Sequence, residues 1–318
     1  MQGKVPPIEL RRLRTVSIKE RKSKVSVKEF ARAWREGGGL KDFLDSLPFI
    51  LAGKDLKEVI DHLVRATRDG KMILLGMGAH PIKVGLNPII IDLMKRGVVR
   101  ALAFNGACMI HDVEVAMAGH TSEEVEEGLK VGNFGVTEET ATFIHTAMRK
   151  GREEGLGAGE ALGKALLEAD LPFKDLSLFA TGFRLGLPLC VHVAIGTDVI
   201  HIHPSMDGAL LGEMSFRDFR TFCSLVASLK EGAFINLGSA VVMPEVFLKA
   251  LTLAKNMGQD LRGMITVNLD FLPHYRPLQN VVVRPELIGA KGYFLRGHHE
   301  IMFPLLAAGV IEGLKKEG

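Results

Sequence analysis

Cysteine is scarce in this chain, and what there is does not pair. Cys108, Cys190 and Cys223 are odd in number and widely spaced, which excludes a disulfide framework and the close pairs of a zinc site; they read as buried thiols of a reducing, cytoplasmic compartment. No apolar run reaches the roughly 18 to 20 residues that a membrane span needs. The amino terminus is basic without the apolar core of an export signal, so export is not expected. Internal repeats and low-complexity segments are absent. An excess of one charge is missing too: 40 Lys and Arg against 37 Asp and Glu leave +3, too little to imply nucleic acid. The one basic concentration comprises Lys4, Arg11, Arg12, Arg14, Lys19, Arg21, Lys22, Lys24 and Lys28, against only Glu9 and Glu20. It lacks the interleaved aromatics on which bases stack, since Phe30 and Trp34 come only afterwards. It reads as an extension packed on a neighbouring subunit. Neither nucleic acid nor membrane is an expected partner; a small-molecule substrate is.

What is abundant is apolar: 47% of the 318 residues, with a mean hydropathy of +0.18. A sheet buried on both faces, or a large subunit interface, accounts for that excess. From Met72 the chain runs through an apolar strand (Met72 to Leu75), a glycine turn (Gly76, Gly78), an amphipathic helix (Leu86 to Arg96) and a second strand (Val98 to Phe104) that breaks at Asn105-Gly106-Ala107. Small residues thus stand at the carboxyl ends of two strands, where open α/β sheets bind ligands. Gly76-x-Gly78 lacks the third glycine of a full dinucleotide fingerprint.

Around this unit, residues 26–70 read as helical, with Val27-Phe30-Trp34 and Leu56-Val59-Ile60-Leu63-Val64 at helical spacing. Residues 121–130 open with a capping-box pattern and predict a short helix, and residues 137–169 predict two helices parted by Gly151 to Gly159. A strand is expected over Pro188 to His203, then helix 216–229, strand 233–237, helix 244–257 and strand 263–269. Alternation with short links predicts an α/β fold: a doubly wound, mostly parallel sheet. The expected division is a basic, helical amino-terminal segment (1–70) and a dinucleotide-binding α/β domain (71–318).

Four clusters fall at predicted strand ends: Gly76 to Gly85 with His80 and Lys83; Asn105 to Asp112 with His111; His201 to Glu213; and Gly238 to Met243 with Asp270, His274, Tyr275 and Arg276 on the following strand end. In the third, His201 and His203 would share one face of a strand, with Asp207 just beyond, a pattern open to a divalent metal and hydrolysis as well as to ordinary hydrogen bonding. His298-His299-Glu300 reads as a solvated loop.

In order along roughly residues 70–305, these segments resemble the deoxyhypusine synthase family, which oxidises spermidine with NAD and moves its aminobutyl group to a lysine. The family's L-G-x-T-S-N is similar to Leu75-Gly76-Met77-Gly78-Ala79-His80, with Gly85 in place of a later glycine. Its T-A-G-G-x-E-E-D resembles Phe104-Asn105-Gly106-Ala107 running on to His111-Asp112. Its T-D-G-S-L-G-D-M resembles Met206 to Met214, and its L-G-G-G-V-V-K resembles Leu237-Gly238-Ser239-Ala240-Val241-Val242-Met243. The resemblance implies a Rossmann-like fold of the deoxyhypusine synthase type, NAD as cofactor and a homotetramer built of paired dimers. The departures alter the chemistry. The family's imine-forming lysine falls on Met243, and a thioether forms no Schiff base. Lys249 lies almost two helical turns away. Met109, Ile110 and His111 replace paired glutamates that hold a polyamine, and Asp270 to Arg276 replaces an acidic loop with a partly basic one.

The expected function is therefore NAD-dependent oxidation or transfer on an amine or amino-acid-like small molecule, not deoxyhypusine synthesis. Gly76, Gly78, His80, Gly106, Ala107, Asp207 and Gly208 are the expected cofactor contacts; the residues do not separate NAD from NADP. His111, His203 and His274 are the candidate bases, because an imidazole titrates near neutral pH. Lys83, Asp270 and Arg276 are the candidate substrate contacts. A metal-dependent hydrolase on His201, His203 and Asp207, and a non-catalytic homologue with a vestigial pocket, are the alternatives.

Overall fold

The computed structural model describes residues 5–315. Among the described residues six strands form one parallel sheet: β1 (Ile73–Met77), β2 (Ala101–Asn105), β3 (Leu189–His192), β4 (Ala233–Leu237), β5 (Ile265–Asp270) and β6 (Lys291–Arg296), in the order β3-β2-β1-β4-β5-β6. This is the doubly wound order of Rossmann-like folds, with its reversal between β1 and β4. Every residue of β1 and β4 is buried, which is why these strands read as unbroken apolar runs.

Successive side chains of β1 point into different cores. Ile73, Leu75 and Met77 face a larger core, with helices α1 (Leu51–Arg68), α2 (Asn87–Lys95) and α3 (Gly106–Ala118) on that side. Helices α4 (Glu138–Glu153) and α5 (Ala158–Glu168) extend it. Leu74 faces a second core made with α6 (Gly208–Ala227) and α7 (Val242–Asn256). There Phe234 and Phe247 stack with ring centres 3.9 Å apart. Gly76 makes the room: a Cβ on it would lie 2.8 Å from the Phe234 ring.

Four expectations are corrected. Residues 26–39 hold only a 3-10 turn, Val27–Glu29. Val27, Phe30 and Trp34 stay at least half exposed, and Trp34 meets the edge of Phe43, at 5.9 Å between ring centres. The strand expected over 188–203 ends at His192; a loop and a 3-10 turn, Val199–Ile202, follow. β3 is an edge strand and no neighbour extends alongside, so the alternating Val, Ile and His have nothing to pair with. The capping box at 121–122 is not used: the helix there, Val125–Val131, begins later without a side-chain cap. Helix α8 (His299–Leu314), where the sequence suggested a loop, packs against α1, with Gly309 and Gly313 giving way to Ile60 and Val64. It is apolar nearly all round, so no helical period marks it.

Two buried carboxyl groups tie elements together. Asp218 of α6 accepts hydrogen bonds from Gly159 N (2.9 Å) and Val191 N (2.7 Å), holding α5 and β3. Asp112 of α3 accepts from Ser177 Oγ (2.5 Å) and Leu178 N (2.9 Å), at the start of helix Leu178–Arg184. Burial raises both, Asp218 to about 7 and Asp112 to about 6. A carboxyl raised by folding contributes its stability below the unfolded value near 3.8 and loses it as pH rises through the folded value. Buried His192, lowered to about 3, works in the opposite direction in acid. The clean readout is a difference: the melting midpoint of Asp218→Asn should gain on wild type as pH rises from 5 to 8. A constant gap between the two curves would contradict the raised carboxyl.

Candidate functional site

The parallel register brings all the carboxyl ends of the strands to one edge, and at the reversal two loops touch. Gly78 N donates to Leu237 O (3.1 Å) and Gly238 N to Leu269 O (3.2 Å). A Cβ on Gly78 would lie 2.4 Å from Gly238 O, so nothing larger than glycine fits without moving backbone. Gly238 takes φ +67°, in the left-handed region. The two loops continue as Ala79-His80 and Ser239-Ala240, and Ser239 Oγ accepts from Met243 N (3.2 Å) in the first turn of α7.

Beside this contact His80 Nδ1 and His299 Nδ1 lie 2.8 Å apart, and His299 Nε2 lies 3.2 Å from Leu269 O. His80 is exposed and His299 is buried. Phe271 borders both rings, and its neighbour Asp270 accepts from Phe271 N (2.8 Å).

On the β2 side, Asn105 Oδ1 caps α3 by accepting from Cys108 N (3.2 Å). The Asp198 carboxylate then covers the helix amino terminus so closely that a Cβ on Gly106 would lie 2.0 Å from its Oδ2. That oxygen is buried with no hydrogen-bond partner, as is His201 Nε2, 3.9 Å away. Burial raises the Asp198 carboxyl, against the pull of His201 and His111. His111 Nδ1 bonds Thr121 Oγ1 (2.6 Å), which also bonds Glu114. Net acidity at this strand end suits a cationic group and opposes a phosphate on the amino terminus of α3.

The residues expected from sequence divide among several places. Gly78 and His80 meet at the β1–β4 crevice, with Asp270 behind them. Gly106, Ala107 and His111 belong to the Asp198 cluster one strand over. Gly76 lies inside β1 and serves the second core. Asp207 caps α6, its Oδ1 accepting from Leu210 N (3.0 Å), with Gly208 in open space next to it. His203 Nδ1 bonds Ser205 Oγ (2.7 Å), whose other neighbour is His145 Nδ1 (2.6 Å). Arg276 pairs with Glu245 (3.2 Å), on the α7 side beyond β5, and His274 lies two residues before it. Lys83 is exposed past the β1 loop. Met243 is fully buried in the second core, so the position of the family's lysine does not open on the crevice.

The shared strand face expected for His201 and His203 does not exist, since both lie beyond the end of β3. His201 Nδ1 accepts from Gly196 N (3.1 Å) and Asp198 N (3.2 Å), and among the described residues no three His, Cys, Asp or Glu side chains converge on a metal position. Sequence reasoning missed Asp198, His299, His145 and Ser205 as site residues. Asp198 was legible as a polar group after an apolar strand; His299 was not, because its partner is 219 residues away.

Gly78→Ala should lower stability by about 1–3 kcal/mol through overpacking, whereas Gly208→Ala, whose added Cβ meets nothing within 4 Å, should not. Thermal melts of both variants check this; equal midpoints would contradict the close contact of the two loops.

Compared by sequence, the chain matches no family model and no curated protein. Compared by structure, it is similar to AgrE in its ternary complex with ornithine and NAD+ (TM-score 0.50, 15% identity, over 81% of this chain and 32% of that one). It is similar to a protein of Methanococcus maripaludis S2 assigned as LOR/SDH (0.51, 15%, over 81% and 69%). It is also similar to a protein of Entamoeba histolytica assigned as a deoxyhypusine synthase (0.52, 11%, over 90% and 97%). The chain spans about a third of the length of AgrE. These likenesses are of fold.

Proposed function

We propose that this protein binds a nicotinamide dinucleotide at the β1–β4 crevice and oxidises, or transfers a group from, an amine or amino-acid-like small molecule. The observation that carries this reading is the contact of the Gly78 and Gly238 loops at the point where strand order reverses. Backbone bared of side chains there lets a dinucleotide approach closely. AgrE, of similar fold, was solved with ornithine and NAD+, which supports the same class of ligands.

Gly78, Ala79, Gly238, Ser239 and Ala240 are the residues that fit the cofactor. The Asp198 carboxylate keeps phosphate away from α3, so Gly106 and Ala107 border the substrate instead. A nicotinamide held there would supply the hydride acceptor for a carbon bearing nitrogen or oxygen. Asp198 and Glu114 attract a substrate ammonium, and the imidazoles at this edge take its proton. Arg276, engaged by Glu245, is not needed. Deoxyhypusine synthesis is not proposed: a lysine at Met243 would be buried among Phe234, Phe247 and Gly76.

Calorimetry with NAD+, NADH, NADP+ and NADPH tests the reading. Heat with at least one pair is expected, and the protein with NAD+ and spermidine should release no NADH. Silence with all four at millimolar concentration would leave a vestigial pocket.

We also propose a homo-oligomer, a tetramer or a dimer. Residues 5–30 present Val5, Ile8, Leu10, Leu13, Val16 and Ile18 to solvent, each more than 70% exposed, a surface that a second copy of the chain would cover. Light scattering should give a mass at least twice 34.7 kDa, and deletion of residues 1–25 should lower it; a monomer at micromolar concentration would refute the assembly.

A further inference from the structure

We infer that His80 offers an unprotonated Nε2 to the β1–β4 crevice as its proton acceptor, and that His299 is the positioning residue that holds it in that state. The proton-accepting role rests on the reading of the crevice as a dinucleotide and substrate site; the state of the two rings does not.

Hydrogen-bond logic assigns the protons. His299 Nε2 faces the carbonyl oxygen of Leu269 at 3.2 Å, and a carbonyl only accepts, so Nε2 carries hydrogen and donates. His299 is 1% exposed and burial lowers its basicity, against the pull of Asp270 and Glu300. Its ring is therefore neutral and its Nδ1 is an acceptor. Among the described residues the group placed to donate to that nitrogen is His80 Nδ1, 2.8 Å away. With Nδ1 protonated, neutral His80 keeps its lone pair on Nε2, at the exposed end of the ring. The reverse arrangement would set two lone pairs, His299 Nε2 and Leu269 O, against each other.

The surroundings hold the pair in place. A Cβ on Gly238 would lie 2.7 Å from His299 Cε1, so the glycine of the β4 loop admits the ring. Phe271 borders both imidazoles and stacks on His298, whose Nδ1 lies 3.8 Å from Glu300. In the step, the proton of a substrate ammonium or hydroxyl passes to His80 Nε2 and its electron pair stays on the substrate nitrogen or oxygen. His80 becomes an imidazolium, still bonded through Nδ1–H to His299 and through it to Leu269 O. A neutral buried acceptor thus supports the charge without a carboxylate.

Nitrogen-15 NMR of the full chain labelled at histidine tests this, with the His80 signals identified by their loss in His80→Gln. The expected wild-type spectrum shows Nδ1 protonated and Nε2 unprotonated at neutral pH. His299→Phe should move Nε2 into the protonated range, and His299→Gln, whose amide both donates and accepts, should restore the wild-type pattern. If His299→Phe does not fold, Gly238→Ala, which displaces the ring, should give the same loss. A protonated Nε2 in wild type, or no change on removing the His299 acceptor, would overturn the assignment. Titration with NADH should shift the His80 Nε2 signal; NADH that binds without moving it places the imidazole outside the crevice and also overturns it. Calorimetric silence toward every dinucleotide with the Nδ1–H form intact would instead refute the cofactor reading and leave the imidazole pair standing.

Discussion

The approach of Gly78 to Gly238 O is the constraint on which the rest of the site depends. A parallel sheet covered on both faces hides every side chain of β1 and β4, so chemistry has access only at the strand ends. Those ends converge where the order reverses, and only residues without a Cβ let the two loops meet there. Their contact carries His80 outward from β1 and leaves a slot at Gly238 that the His299 ring fills from the first turn of α8. Sidechain-to-backbone bonds to the strand ends do the rest: His299 reads Leu269 O, and Asp270 caps its own loop.

The edge is electrostatically divided on either side of β1. Toward β4 and β5 stand the His80 and His299 imidazoles and the Phe271 ring. Toward β2 and β3 stand Asp198 and Glu114 with His111 and His201, and the Asp198 carboxylate occupies the positive end of the α3 dipole. The proposed places of the cofactor and a cationic substrate, at neighbouring strand ends, are in keeping with this division. The position of the family's lysine lies outside this division altogether: Met243 is held in the second core, under Gly76.

The resemblance of short motifs to one family and the likeness of fold to several proteins agree on architecture, and the architecture hosts many chemistries. What distinguishes this chain is carried by residues that depart from the family pattern. His80 stands where the family has asparagine, and His299 lies in a segment with no motif.

Periodicity and glycine placement in the sequence determined the alternation of strands and helices, the parallel sheet and the small-residue strand ends at Gly78, Gly106 and Gly238. These are local properties: a doubly buried strand needs an unbroken apolar run, and a close loop needs glycine. Tertiary structure alone decided which strand ends adjoin, and so which polar residues share a site. It ended β3 at His192, separating His201 and His203 from the strand that would have aligned them. It folded His299 to Leu314 as a helix whose uniform apolarity hides its period, and so brought His299 within 2.8 Å of His80. It also turned Gly76 and Met243 inward and set Asp198 over α3. A contact across 219 residues of chain leaves no periodic trace in either segment, because each side chain answers to a partner that only the assembled sheet supplies.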